Sequence, residues 1–212
     1  MRNPHPKSNA SHRFGAAFRV SRRLVAFVIA ALMLPSTAGD AATTIGVAER
    51  IVRNVYGDDI NRRMKIGEQL IANQRILTGR ESAASLTFQD QTHLAIGPGS
   101  ELRLDKFVYD TERKITGGTL SLAKGLLRFA SKRKAVDLRV TTPAAVIGVR
   151  GTVFDVLAGR RQTEVRVHEG SVEVTNESGT RTATAGEVVR VRDGAPPSAL
   201  PAASPALRAA VG

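Results

Sequence analysis

The stretch TEVRVHEGSVEVTNESGTRTATAGEVVRVRDG, Thr163 to Gly194, decides the fold. Val165 and Val167 alternate with Arg166 and His168, and Glu169-Gly170 turns the chain. Val172 and Val174 then alternate with Glu173 and Thr175 until NESG turns it again. After Gly186-Glu187, Val189 and Val191 face one way. Successive side chains of a strand point to opposite faces, so this pattern gives strands with one buried face and one wet face.

The same reading extends back to Thr43. In SAASLTFQD, Ala84, Leu86 and Phe88 share one side, and Ala83, Ser85 and Thr87 the other. GPGS, Gly97 to Ser100, is a turn signal. Leu102, Leu104 and Phe107 are core candidates, as are Leu120, Leu122, Leu126 and Leu127, which Lys124-Gly125 divides. GDDINRRMKIGEQLIAN has room for a short helix, but KIGEQLIANQRILTGRES reads better as two strands joined at ANQ. Gly67-Glu68 and Gly186-Glu187 precede similar apolar strands, though no strict repeat is visible. The expectation is one all-β domain over 43–194, with many short strands in a compact solenoid-like or sandwich-like stack. The end, 195–212, is rich in Pro and Ala and nearly uncharged, and reads as a flexible tail.

Residues 1–38 hold Arg2, Lys7, Arg13, Arg19, Arg22 and Arg23 and no acid. They run into LVAFVIAALML, Leu24 to Leu34, then Pro35 and small residues. That order is a secretory signal peptide with cleavage near 38–42, and the apolar run is short for a stable membrane span. SRRLVAF also fits a twin-arginine signal, so either export route is open. The mature chain is then expected in the periplasm.

The formal charge of +12 comes from 31 basic and 19 acidic residues. Removing the six cations of the leader leaves 25 against 19, or +6. The longest basic run, SKRK at Ser131 to Lys134, has only Phe129 nearby, which is a poor nucleic-acid footprint. Cysteine is absent, which excludes disulfides, thiol nucleophiles and zinc–thiolate sites. His93 and His168 lie far apart in the sequence and read as surface strand positions. Ser100 lacks the following glycine of a nucleophile elbow, and Asp58-Asp59 do not form a convergent acid–base pair. No catalytic residue, cofactor or metal is expected.

One further stretch stands out. TTPAAVIGVRGTVFDV, Thr141 to Val156, is apolar on both faces except for Arg150. It is expected to be central and covered on both sides. Gly148 and Gly151 mark a bend or a close approach of another backbone, and Pro143 suits a strand start. A buried guanidinium needs a carboxylate or several carbonyls, so Arg150 reads as a structural clamp with Asp155 and Glu169 as partners.

The run TPAAVIGVRGTVFDV, then VRVHEGSVEVTN, then TAGEVVRV, resembles the FecR domain family, and the lead-in from KIGEQL through GPGS to FVYD fits as well. The resemblance implies that Thr142, Pro143, Gly148, Val149, Arg150, Gly151, Thr152, Glu169, Gly170, Gly186 and Glu187 are motif positions, structural or in contact with a partner. It implies a periplasmic signalling domain whose partner is an envelope protein, a membrane transporter or a signalling protein. Family members that pass signals to a sigma factor carry a cytoplasmic segment and a membrane span. Only 23 residues precede the apolar run here, so a free-standing exported FecR-like domain is expected. Its oligomeric state is left open. The other reading is an envelope polysaccharide- or peptidoglycan-binding or structural protein, to which the basic excess is suited.

Overall fold

A computed structural model describes residues 43–109, 115–131, 137–149 and 151–211. The leader and its cleavage region lie outside these residues. The chain forms β1 (Thr44–Val52), β2 (Val55–Tyr56), β3 (Gln69–Ile71), β4 (Arg75–Thr78), β5 (Ala83–Phe88), β6 (His93–Ile96), β7 (Glu101–Tyr109) and β8 (Ile115–Ala130). It continues as β9 (Asp137–Thr141), β10 (Val146–Val149), β11 (Val153–Ala158), β12 (Gln162–Glu169), β13 (Ser171–Asn176), β14 (Gly179–Thr184), β15 (Val188–Arg192), β16 (Ser198–Leu200) and α1 (Pro205–Val211). The all-β expectation holds. The short helix near Asp58 does not form. Asp58 and Asp59 instead hold a loop, by accepting the Arg75 and Asn61 N–H groups.

Two layers result, in the orders β3-β1-β5-β6-β8-β11-β12-β15-β16 and β2-β4-β7-β8-β9-β10-β13-β14. Only β8 belongs to both. Its first half pairs with β7 and its second with β6 and β11. Among the described strands the one parallel pairing is β8 with β9. It follows from the path: the chain crosses between layers at Gly125, inside β8, and crosses back before β9 without a hairpin between. Before β8, the crossings at Asn54, at Gly79–Ser82 and at Gly97–Ser100 lie at the Gly125 end of the stack, whereas that between β3 and β4 lies at the other end. After β8 they lie at the opposite end, beside Thr152.

The inward faces make one core. Leu86, Phe88, Phe129, Phe154, Val165 and Val189 come from one layer, and Leu102, Leu104, Leu120, Leu122, Val140 and Ile147 from the other. Phe88 meets Phe107 across the layers edge-on, with ring centroids 5.2 Å apart, a favoured aromatic geometry. The period-two reading thus identified the buried face in β5, β7, β12 and β15.

Two expectations need correction. Val146–Val149 and Val153–Ala158 are not one doubly covered strand. They are β10 and β11, in different layers, and Val146 is 38% exposed. Both are central within their sheets, flanked by two strands each; the outer face of β11 is covered at Asp155 and Leu157, whereas β10 leaves Val146 open. The Pro/Ala-rich end is also docked. β16 extends the sheet beside β15, and α1 seats Leu207, 1% exposed, against Leu126 and Val188 on the outer face. Composition misled because a small apolar patch on that face gives the segment something to bury.

Candidate functional site: the crossover column

Thr142 and Pro143 form the turn between β9 and β10. The Thr142 N–H donates to Ala145 O at 2.9 Å, and the Ala145 N–H donates to Thr142 Oγ1 at 3.1 Å. A side-chain oxygen that captures a backbone N–H mimics a further turn, and proline presets its φ for the next position. Thr142 Oγ1 also lies 2.7 Å from Thr163 Oγ1, which ties the two layers together. Pro143 and Val146 face Asn176, Glu177 and Asp193 across an open groove of about 370 Å³.

At the other end of β10, Gly151 has φ +61° and Gly170 has φ +75°. A Cβ on Gly170 would lie 2.8 Å from Thr152 Cγ2 and 2.9 Å from Gly151 O. The glycines therefore let the β10–β11 crossing and the β12–β13 crossing touch, as the close-approach reading expected of Gly151. Gly148 differs: a Cβ there would meet nothing nearer than 3.8 Å. Val149 is buried, and Glu169 is exposed at the end of β12. Thr152 is 1% exposed, and its hydroxyl has no hydrogen-bond partner among the described residues. Its carbonyl accepts the Ser131 N–H at 3.0 Å, and Gly170 O accepts the Ala185 N–H at 3.0 Å. Ser131, Thr152, Gly170 and Ala185 thus form a column of crossovers.

Gly186 and Glu187 close that column. Gly186 has φ +91° and donates to Val167 O at 2.9 Å. Glu187 Oε2 accepts the Thr184 N–H at 2.6 Å and the Thr184 hydroxyl at 2.8 Å. These bonds, the backbone one foremost, hold its carboxyl below the ordinary glutamate range. Gly67-Glu68 repeats the device. Gly67, φ +81°, donates to Ala48 O, and Glu68 accepts the Lys65 N–H at 3.1 Å. Arg62 adds a two-pronged bond to Glu68 at 2.7 and 2.9 Å, and this bond foremost, with the Lys65 N–H behind it, holds the Glu68 carboxyl below the ordinary range against the opposing effect of burial. The likeness of the two Gly-Glu turns in the sequence is therefore a likeness of hydrogen bonding.

Arg150 lies outside the described residues. Asp155, named as its partner, has both oxygens engaged elsewhere. It is fully buried, with Arg128 Nε on Oδ1 at 2.7 Å, Arg128 Nη2 on Oδ2 at 3.0 Å and His168 Nε2 2.7 Å from Oδ2. The bond to Asp155 raises the Arg128 pKa against the opposing effect of burial. Sequence reasoning missed this triad because Arg128 and Asp155 lie 27 positions apart. The β8–β11 register, which places them opposite each other, is what brings them together. Among the described residues no hydroxyl is hydrogen-bonded to His168, and no group of three His, Asp or Glu side chains is placed to hold a metal ion. The triad pins β8, β11 and β12 to one another.

Known proteins agree with this architecture. Residues 74–173 match the family described as FecR protein. Two crystal structures of a protein from Parabacteroides distasonis ATCC 8503, proposed to be an anti-sigma factor, superpose with TM-scores of 0.50 at 21% and 22% identity. Each match covers 59% of this chain and 58% of that one, so the likeness is one of fold over part of both. No curated protein matches the chain. The FecR match, residues 74–173, takes in the Thr-Pro turn and the paired glycines Gly151 and Gly170, and the Gly186-Glu187 turn follows just beyond it.

Proposed function

We propose that this chain is an exported, periplasmic signalling or sensing protein that works by binding another envelope protein, with a membrane transporter or signalling protein as the partner. The observation that carries the reading is the family match, taken with the use its motif makes of its residues. Thr142, Gly151, Gly170, Gly186 and Glu187 are spent on turns and crossings, and the buried Asp155 is bound by Arg128 and His168. A non-enzymatic role fits this division. No helix among the described residues is long and apolar enough to cross a membrane.

Strand addition is the binding mode the fold favours. Among the described edge strands, β2, β3 and β16 have two or three residues, whereas β14 has six. Ala185 N–H points inward to Gly170 O, so the antiparallel alternation turns the backbone groups of Thr180, Thr182 and Thr184 outward. Glu187 occupies the Thr184 N–H, leaving Thr180 and Thr182 for a partner.

The test is a crosslinked pull-down of the mature protein from native periplasm, with Thr182→Pro as the folded control. A dominant protein partner lost in the control supports both proposals. A partner kept by the control removes the edge-strand mode alone. Recovery of cell-wall fragments in place of protein removes the signalling reading and favours the envelope-binding one.

A further inference from the structure

The segment from Ala202 to Val211 covers a seat on the outer face of one layer. Leu126, Leu157, Val188 and Leu200 form the seat, and Ala203, Leu207 and Ala210 fill it. Neighbouring outward positions on the same strands, Arg128, Asp155 and Arg166, are polar. The apolar patch is therefore local, and is separate from the main core.

The polar anchor is as specific as the apolar one. Glu164 is 2% exposed although it points outward from β12. The Ser204 N–H donates to its Oε1 at 2.7 Å, and Arg190 Nη2 donates to its Oε2 at 3.2 Å. Ser204 Oγ then caps the helix by accepting the Leu207 N–H at 3.1 Å. Yet the fit is incomplete, because Arg190 Nε is buried with no acceptor among the described residues. An unsatisfied donor of this kind is a cost that a better ligand would remove.

The segment is held weakly for its length. α1 has seven residues, too few to persist as an isolated helix. Burial of one leucine and two alanines offsets only part of the entropy of fixing ten residues. Pro201 precedes it and Pro205 opens its helix, and neither can donate a backbone N–H to extend regular pairing across the joint. Elements with few buried contacts open locally while the rest of the fold stays closed.

We propose that Ala202–Val211 is a releasable strap, and that the seat beneath it docks a short amphipathic helix of a partner protein. The strap is the template for that helix. Its cap must offer a backbone N–H to Glu164, and a leucine three positions on must enter between Leu126 and Val188. A carboxylate reaching Arg190 Nε would let the partner outcompete the strap. The proposal rests on the reading that the domain acts by binding protein, and adds a second, gated surface to it.

The test uses the full-length protein and a labelled peptide of the sequence 202–212. In the wild type, the Leu207 and Arg208 amides should exchange at least about 100-fold faster than those of Val165 and Val167. Leu207→Asp, which frees the seat without changing it, should bind the peptide at least about tenfold more tightly than wild type. Adding Leu157→Glu should abolish that gain. Amides of the strap as slow as those of Val165 would overturn the proposal, as would a folded L207D protein that ignores the peptide. Failure of L207D to fold would make the strap an integral element and overturn it equally. A wild-type dimer formed by exchanged straps would give the seat to a second copy and overturn the partner assigned here. These readouts need no envelope partner, so they stand or fall apart from the pull-down.

Discussion

The side chain of Ser100 fills the place that a Cβ on Gly125 would take. Its Oγ lies 2.2 Å from that position and its Cα 2.5 Å. The same hydroxyl donates to Gly97 O at 2.8 Å and accepts the Leu126 N–H at 2.9 Å. The GPGS turn and the kink in β8 are thus one joint. Gly125→Ala should destabilise the protein by about 2 kcal/mol or more, since the new methyl overlaps backbone and φ is +93°. Ser100→Ala should cost about 1–3 kcal/mol by leaving a buried amide unpaired. Urea unfolding followed by circular dichroism measures both, and an unchanged midpoint for G125A would disprove the joint.

The motif glycines should respond in opposite ways. Gly170→Ala drives a methyl into Thr152 and Gly151 at a positive φ, and should lower stability by about 1–3 kcal/mol. Gly148→Ala would make only ordinary 3.8 Å contacts with Glu173 on a strand, and should be neutral or stabilising by up to about 1 kcal/mol. Thermal melts of the two variants decide the matter.

Arg128→Ala should be costly because it strips a buried carboxylate of its two-pronged partner. We expect about 2–3 kcal/mol, below the range for a fully dry pair because the Arg128 side chain is 40% exposed. Arg128→Lys should not restore the loss, since one ammonium cannot reproduce the fork. A lysine variant with wild-type stability would show that charge alone suffices.

Acid should weaken the Gly-Glu turns. Glu68 and Glu187 both have carboxyls held below the ordinary value of 4.5. A carboxyl depressed in the folded state stabilises fully above its unfolded pKa, and that contribution fades as pH falls through the folded one. The melting temperature should therefore fall as pH drops from about 5 toward 3. Glu68→Gln and Glu187→Gln should each flatten that slope, and a melting curve series across the range reads it directly.

Much of this was written in the sequence because strand periodicity is local. Val165, Val167, Val189 and Val191 announced their buried face without any knowledge of their neighbours. The turn residues were equally plain, since Gly170 and Gly186 serve conformations that few other residues adopt. What could not be read was register. Arg128 meets Asp155 only because β8 and β11 pair at that offset, and Leu126 meets Leu207 only because the chain end folds back over it. The change of layer within β8 was half visible: Lys124-Gly125 divided the leucines, but nothing local said that the strand would continue through the break.

The alternation of hairpins and crossings also sets how this fold tolerates changes of length. After β8, the hairpin tips at Gly159–Arg161 and Glu177–Ser178 project from one end, where added residues would lengthen a loop and cost little beyond the Asp193 N–H bond to Arg161 O. The crossings at Gly151, Gly170 and Gly186 are packed against one another, so one extra residue there would displace the next level of the stack. Insertions and deletions in relatives should therefore collect at the tips, and the domain should grow or shrink by whole pairs of strands rather than by single residues.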